Sequence, residues 1–171
     1  MSVTVDPGTW QLDPARSTVT IRHKSLWGLV TVKGTFGSVS GGGEVLPDGT
    51  ARGTLTLDAA SLDTKQAKRD KHLRSADFFH VEEHPEITYA VRSAALRADG
   101  TVQVTGDLTV RGNTRPLSFI ARADQADQGA VAVTAEVKVD RADFDLKWNQ
   151  MGMLRGLTTV AVSLRFTHTP A

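Results

Sequence analysis

The sequence contains no cysteine and carries almost no net charge. The absence of cysteine excludes disulfide bonds, thiolate catalysis and zinc–thiolate sites together. A formal net charge of +1 gives no electrostatic reason to expect nucleic acid as a partner. No apolar run approaches the roughly 20 residues that a membrane helix needs, so we expect no stable membrane insertion. The first residues contain neither a basic nor an apolar signal region, and we therefore expect a cytoplasmic chain.

What the sequence does contain is apolar residues at every second position. This alternation occupies residues 19–23, 54–57, 87–92, 102–110, 131–139 and 160–166. It is typical of strands that have one apolar and one polar face. Turn signals separate the stretches, namely Pro47-Asp48-Gly49, Ala98-Asp99-Gly100, Gly112-Asn113 and Asp127-Gln128-Gly129. The pattern predicts one all-β domain over residues 1–171, folded as an antiparallel barrel or sandwich.

Residues 63–85 interrupt the alternation. Asp63 is a plausible helix cap with Gln66 three residues later, and Pro85 ends any helix that reaches it. We therefore predict a short helical insertion near residues 63–85, outside the sheet. We interpret Gly41-Gly42-Gly43 as a flexible loop.

Three segments contain residues whose order along the chain matches the pattern of a known family. The first contains Asp70, His72, Leu73, Ser75, Asp77, Phe78, Phe79, Pro85, Ile87 and Tyr89. The second contains Trp10, Asp13, Pro14, Ser17, Val19, Ile21, Arg22 and Lys24, followed by Gly34-Thr35-Phe36-Gly37. The third runs from Gly106-Asp107-Leu108-Thr109-Val110-Arg111-Gly112 to Thr114-Arg115-Pro116-Leu117. In these segments the chain resembles the YceI-like family, whose members are lipocalin-like barrels that hold polyisoprenoid lipids.

The resemblance implies a fold and a ligand class. We expect a lipocalin-like antiparallel barrel of about eight strands, which is just wide enough for one elongated apolar ligand. The ligand would be a polyisoprenoid, an isoprenoid quinone or a similar lipid, with a quinone or diphosphate head near the mouth. No cofactor is implied.

The predicted ligand-binding residues belong to three groups. Alternation assigns nine of them to the barrel wall: Ile21, Leu55, Leu57, Tyr89, Val104, Leu108, Phe119, Val133 and Val137. Phe78 and Phe79 belong to the helical insertion, where they either cover the barrel mouth or anchor the helix to the wall. Phe144, Trp148 and Met151 belong to an irregular apolar passage that either forms a lipid-contacting rim or packs against a second subunit. Because side chains alternate, a one-residue slip in register would move any of the wall residues outside.

His80-Val81-Glu82-Glu83-His84 matches the H-x-x-E-H pattern of inverted zinc proteases. That chemistry needs both histidines on one face of a continuous helix. Pro85 follows His84 directly and disfavours such a helix. We therefore expect no bound metal and no catalytic residue here.

The leading hypothesis is a non-enzymatic barrel that binds a long isoprenoid or similar amphiphilic lipid for carriage, storage or sequestration. One alternative is an enzyme that acts on a small apolar substrate in the same cavity. Another is a stress-associated structural or interaction protein whose cavity is packed shut. A basic cluster either meets an anionic head group or forms a solvated helix face; it consists of Lys65, Lys68, Arg69, Lys71 and Arg74. Apolar residues in irregular segments, among them Trp27, Trp148 and Met153, further suggest a homodimer.

Overall fold

The computed structural model describes residues 5–25, 30–75, 79–140 and 158–169. Within them it contains eleven strands and one α-helix. The first strands are β1 (Gly8–Leu12), β2 (Thr18–Ser25), β3 (Val30–Phe36), β4 (Val39–Val45), β5 (Thr50–Asp58) and β6 (Leu62–Asp63). After the helix α1 (Ala67–Arg74) come β7 (Glu86–Leu96), β8 (Thr101–Val110), β9 (Asn113–Gln125), β10 (Val131–Val139) and β11 (Thr158–Thr169).

The strands form a closed, lipocalin-like antiparallel barrel of eight strands, as the sequence predicted. Strand β11 closes it by pairing with β10 along one edge and with both β1 and β2 along the other. β1 and β2 are thus two halves of one wall strand, separated by a 3₁₀ turn at Pro14–Arg16. β5 and β6 are related in the same way across Ala59–Ser61. At both corners an aspartate accepts a hydrogen bond from a backbone amide two residues later, Asp13 from Ala15 and Asp58 from Ala60.

Two hairpin turns use the same Asp-Gly-Thr chemistry. Asp48 accepts hydrogen bonds from the amide and hydroxyl of Thr50, and Asp99 accepts the same pair from Thr101. The threonine hydroxyl is the main reason that the pKa of each aspartate lies below its usual value. The glycine between them adopts φ +91° in the first turn and +86° in the second, which an L side chain rarely tolerates.

The β8–β9 turn lies one residue earlier than the sequence suggested. Its loop consists of Arg111 and Gly112, both with positive φ, and Asn113 already begins β9 opposite Val110. Two positive φ values in a two-residue loop are the mark of a type I′ turn.

The prediction that Gly41-Gly42-Gly43 forms a flexible loop is wrong, because these glycines lie inside β4. Their lack of side chains lets neighbouring backbones approach closely. A Cβ on Gly43 would come within 2.3 Å of the Arg52 carbonyl oxygen on β5. The glycines therefore serve strand packing rather than flexibility.

The helical insertion is present, but the helix begins later than Asp63. Helix α1 starts at Ala67, its N-cap residue Gln66 makes no side-chain capping bond, and Asp63 ends β6. Asp63 instead accepts a hydrogen bond from the Lys65 amide, and Lys65 adopts a left-handed φ of +66°. The reversal at Lys65 separates the strand from the helix.

Candidate functional site

One end of the barrel is sealed by buried apolar side chains. Trp10, Val45, Ala123 and Val131 form this plug, and each is at most 7% exposed. The Trp10 indole stacks on His168 at a centroid distance of 4.7 Å, and its Nε1 donates to the Asp6 carbonyl oxygen at 2.9 Å. An elongated ligand inside the barrel would therefore meet a closed floor at this end.

The middle of the wall is apolar but incompletely buried. Eight of the nine wall residues predicted from alternation belong to or pack against the buried apolar clusters, and Val137 is half-buried on β10. Leu57, Tyr89 and Val104 are buried. The other six are half-buried, namely Ile21, Leu55, Leu108, Phe119, Val133 and Val137. These six side chains keep some solvent exposure although they lie on the apolar face of the wall. Whether these residues contact a ligand stays a prediction.

Tyr89 spans the wall from β7 to β9. Its ring passes over Gly106 of β8, where an added Cβ would lie 2.8 Å from the tyrosine Cζ. Its hydroxyl donates a 2.6 Å hydrogen bond to the Leu117 carbonyl oxygen on β9, and its ring lies 5.6 Å from that of Phe119. Burial, assisted by the nearby charge of Asp107, raises the pKa of Tyr89 to about 12. Tyr89 therefore stays neutral and holds its hydrogen bond over the physiological range.

A seam separates part of β9 from β10. The two strands pair only where residues 122–125 face residues 131–134. Over the rest of their described length, β9 pairs with β8 and β10 pairs with β11. Phe119 and Val137 belong to the parted halves and alternate with outward-facing neighbours. Among the residues that the structure describes, Phe119 and Val137 thus lie where β9 and β10 do not pair with each other.

The helical insertion packs over the opposite end of the barrel from the Trp10 plug. Leu73, Phe79 and Val81 contact the core formed by residues such as Leu57 and Val110. Phe79 and Val81 are held to α1 by backbone hydrogen bonds to Leu73 and Arg74. Phe79 thus anchors the segment to the barrel. Phe78 lies outside the described residues, as do Phe144, Trp148, Met151, Met153 and Trp27.

Asp70 organises this segment structurally. It is 7% exposed, and its carboxylate accepts hydrogen bonds from the amide and hydroxyl of Thr64. Arg69 donates to the hydroxyl and to the carbonyl oxygen of the same threonine, at 2.8 and 2.7 Å. Arg74 donates to the Ala60 carbonyl oxygen. Two members of the basic cluster therefore hold the insertion in place.

A polar pair faces the interior near this end. His23 continues the inward alternation of Val19 and Ile21, and its Nδ1 lies 2.9 Å from the Thr158 hydroxyl on β11. The alternation over residues 19–23 puts His23 on the same face as Val19 and Ile21 but assigns it no role. A histidine in line with the apolar residues Val19 and Ile21 is the sequence feature that could have identified this polar pair.

The turn at residues 79–84 brings together three potential metal ligands. Ligand atoms of His80, Glu83 and His84 all lie within 4.8 Å of one another. The sequence pattern gave no reason to expect this grouping, because the H-x-x-E-H chemistry needs a continuous helix and Pro85 disfavours one.

The described residues thus define a closed antiparallel barrel with a half-buried apolar wall, a plug at one end and a helical segment at the other. The YceI-like domain model matches residues 10–168, and the chain belongs to the YceI-like family. Within the described ranges, no helix is long and apolar enough to cross a membrane.

Relatives in sequence match parts of the chain. It is 38% identical to Protein YceI of Escherichia coli O157:H7 over 99 residues, 54% of this chain and 51% of that protein. It is 31% identical to a UPF0312 protein of Vibrio parahaemolyticus over 122 residues, 67% of this chain and 65% of that protein. These matches span about half to two thirds of the relatives' lengths.

Solved structures share the fold over nearly the whole chain. BcnA of Burkholderia cenocepacia aligns with a TM-score of 0.81 at 19% identity, covering 90% of this chain and 98% of that one. A polyisoprenoid binding domain from Saccharophagus degradans aligns with a TM-score of 0.77 at 18% identity, covering 94% and 98%. At such identities the likeness shows the fold alone.

Proposed function

We propose that this protein binds one long isoprenoid or similar amphiphilic lipid inside the barrel, as a carrier or store rather than as an enzyme. The observation that carries the proposal is the half-buried apolar wall around Phe119, Val133 and Leu108 above the Trp10 plug. Membership of the YceI-like family and the structural likeness to the polyisoprenoid binding domain of Saccharophagus degradans support the same ligand class.

The wall favours a ligand that is long and mainly apolar. Burial of apolar surface contributes about 25 cal/mol per Å², so an isoprenoid chain along the wall would supply most of the affinity. The polar end of the lipid, a quinone or a diphosphate, would lie toward His23 and Thr158, a polar pair at the end away from the plug. The tail would then point toward Trp10.

Phe119 offers a direct test, with Ile120 as a matched control. The two residues are adjacent on β9 but face opposite sides, and Ile120 is 54% exposed on the outside. Titration of the delipidated protein with an isoprenoid quinone should quench its tryptophan fluorescence. Phe119→Ala should weaken the affinity about 5- to 30-fold, corresponding to about 1–2 kcal/mol, and Ile120→Ala should leave it unchanged.

Salt distinguishes binding by the tail from binding by the head. Apolar burial is insensitive to screening, whereas capture of a diphosphate by Lys71 weakens as ionic strength rises. We expect the affinity for the quinone to change little with salt concentration and little in the Lys71→Ala variant. If saturating quinone changed neither the fluorescence nor the melting temperature, the lipid-binding proposal would be wrong. Turnover of a small apolar substrate would instead favour the enzyme alternative.

A further inference from the structure

Three metal-ligating side chains lie on one short turn beside the barrel end that the helical insertion covers. His80, Glu83 and His84 offer two imidazoles and one carboxylate, and their ligand atoms lie within 4.8 Å of one another. His80 Nδ1 and Glu83 Oε2 are 3.8 Å apart, and the two imidazole rings meet edge to face at a centroid distance of 5.8 Å. We propose that this turn binds a divalent transition-metal ion of the zinc class through His80, Glu83 and His84.

The turn is held in place by its own backbone. The amides of Glu83 and His84 both donate to the His80 carbonyl oxygen, and the His80 amide donates to the Ser75 carbonyl oxygen. His80 adopts a left-handed φ of +50°, which reverses the chain at the first ligand. The ligands are thus arranged by a closed turn rather than by a helix, and Pro85 no longer argues against the site.

Neighbouring elements fix the turn to the barrel. Val81, between the first two ligands, packs against the core, and Phe79 does the same just before them. The His84 ring lies against the β8–β9 turn, where a Cβ added to Gly112 would be 3.0 Å from His84 Cε1. Glycine at position 112 leaves the space that the imidazole occupies. Two of the three ligands are therefore partly ordered before any ion arrives, which reduces the entropic cost of binding.

The distances fit a small ion after a modest side-chain movement. Zinc binds imidazole nitrogen and carboxylate oxygen at about 2.0–2.2 Å, so tetrahedral ligand atoms lie roughly 3.4 Å apart. The His80–Glu83 separation of 3.8 Å is already close to this value, and the Glu83 side chain is 71% exposed and can rotate toward an ion. The largest separation in the group, at most 4.8 Å, must shorten by up to about 1.4 Å. Two histidines and one carboxylate leave a fourth position for water, and imidazole donors favour zinc, copper and nickel over magnesium or calcium.

This donor set differs from that of an H-x-x-E-H protease. In such enzymes the glutamate of the motif activates water and is not a ligand. Here the Glu83 carboxylate contacts His80 and takes a ligand position, so the motif supplies no general base. The ion would instead cross-link the side chains of residues 80–84 beside the barrel end. Because it binds the folded chain, it would stabilise the folded state.

The test uses untagged, metal-free full-length protein and Zn²⁺ alone as the probe. All five histidines of the chain lie among the described residues, so the competing histidine sites are known. Competition with a chromophoric chelator should give one Zn²⁺ per chain, and Zn²⁺ should raise the melting temperature. Co²⁺ in place of Zn²⁺ should give the visible absorption of a four-coordinate site with nitrogen and oxygen ligands.

Glu82 provides the matched control for Glu83. Both are exposed neighbours on the same turn, but only Glu83 belongs to the ligand group. Glu83→Gln should weaken Zn²⁺ binding at least about tenfold, His84→Gln should weaken it further, and Glu82→Gln should leave it unchanged. The proposal is overturned if the wild-type chain loses Zn²⁺ to the chelator at equal concentration. It is equally overturned if Glu83→Gln and His84→Gln bind Zn²⁺ like the wild type, or if Glu82→Gln weakens binding as much as Glu83→Gln.

Discussion

Tyr89 provides a direct probe of the barrel interior, because it is the only tyrosine in the chain. The absorbance of tyrosinate therefore reports this one side chain. In the folded protein, burial raises its pKa from 10.0 to about 12. At pH 11 we expect about a tenth of Tyr89 to be ionised in the folded protein, against about nine tenths in the unfolded chain.

The same shift predicts how stability depends on pH. The folded state favours the neutral phenol. The resulting contribution of Tyr89 to the free energy of unfolding is complete below pH 10 and is lost as the pH rises through the folded pKa near 12. A shift of two units corresponds to at most about 3 kcal/mol. Tyr89→Phe removes this pH dependence and, by leaving the Leu117 carbonyl oxygen without its donor, costs about 1–2 kcal/mol at neutral pH.

The assay is a rapid pH jump to pH 11 followed by absorbance, with urea denaturation of both proteins at neutral and alkaline pH. Protein unfolded in urea provides the control and should titrate near pH 10. A folded chain that titrates near pH 10 would contradict the burial of Tyr89 across Gly106. A Tyr89→Phe variant whose stability falls between pH 10 and 12 as steeply as that of the wild type would contradict it as well.

Three further predictions concern stability and assembly. Gly106→Ala should destabilise the protein by about 1–3 kcal/mol in urea denaturation, because the new Cβ would lie 2.3 Å from the Ala90 carbonyl oxygen; Gly37→Ala, which meets only one atom at 3.7 Å, should be nearly neutral. Asp70→Ala should lower the free energy of unfolding by about 1–3 kcal/mol, because it leaves the buried Thr64 amide without an acceptor. Lys71→Ala, at an exposed position on the same helix, should not lower it, and equal losses in the two variants would refute the role of Asp70. We also expect light scattering to show a homodimer at micromolar concentration; an 18.4 kDa species would count against it.

Alternation alone predicts most of the wall. The interior positions of β8, β10 and β11 follow directly from residues such as Val104, Val133 and Val160, because a strand with one buried face must alternate. In β7 the alternation changes phase where the register shifts between Val91 and Ser93, so that Ala94 faces inward. A bulge of this kind depends on the pairing partner and leaves no clear mark in one sequence.

Backbone contacts and turns are the parts that the sequence did not predict. The glycines of β4 suggested a loop because their role, close approach to β5, exists only once the strands pair. The grouping of His80, Glu83 and His84 was missed because it depends on the left-handed φ of His80, a conformation that non-glycine residues rarely adopt. The cytoplasmic location, the homodimer and the contacts of Phe78, Phe144, Trp148 and Met151 stay predictions.

Extraction of the purified protein tests most directly whether the barrel holds an isoprenoid lipid. Protein purified without detergent would be extracted with organic solvent, and the extract analysed by mass spectrometry beside a mock purification. We expect one long isoprenoid, enriched over the mock sample and in roughly equimolar amount with the chain, and less of it from Phe119→Ala than from Ile120→Ala. An extract with no lipid, or with the same phospholipid mixture as the mock purification, would contradict the account.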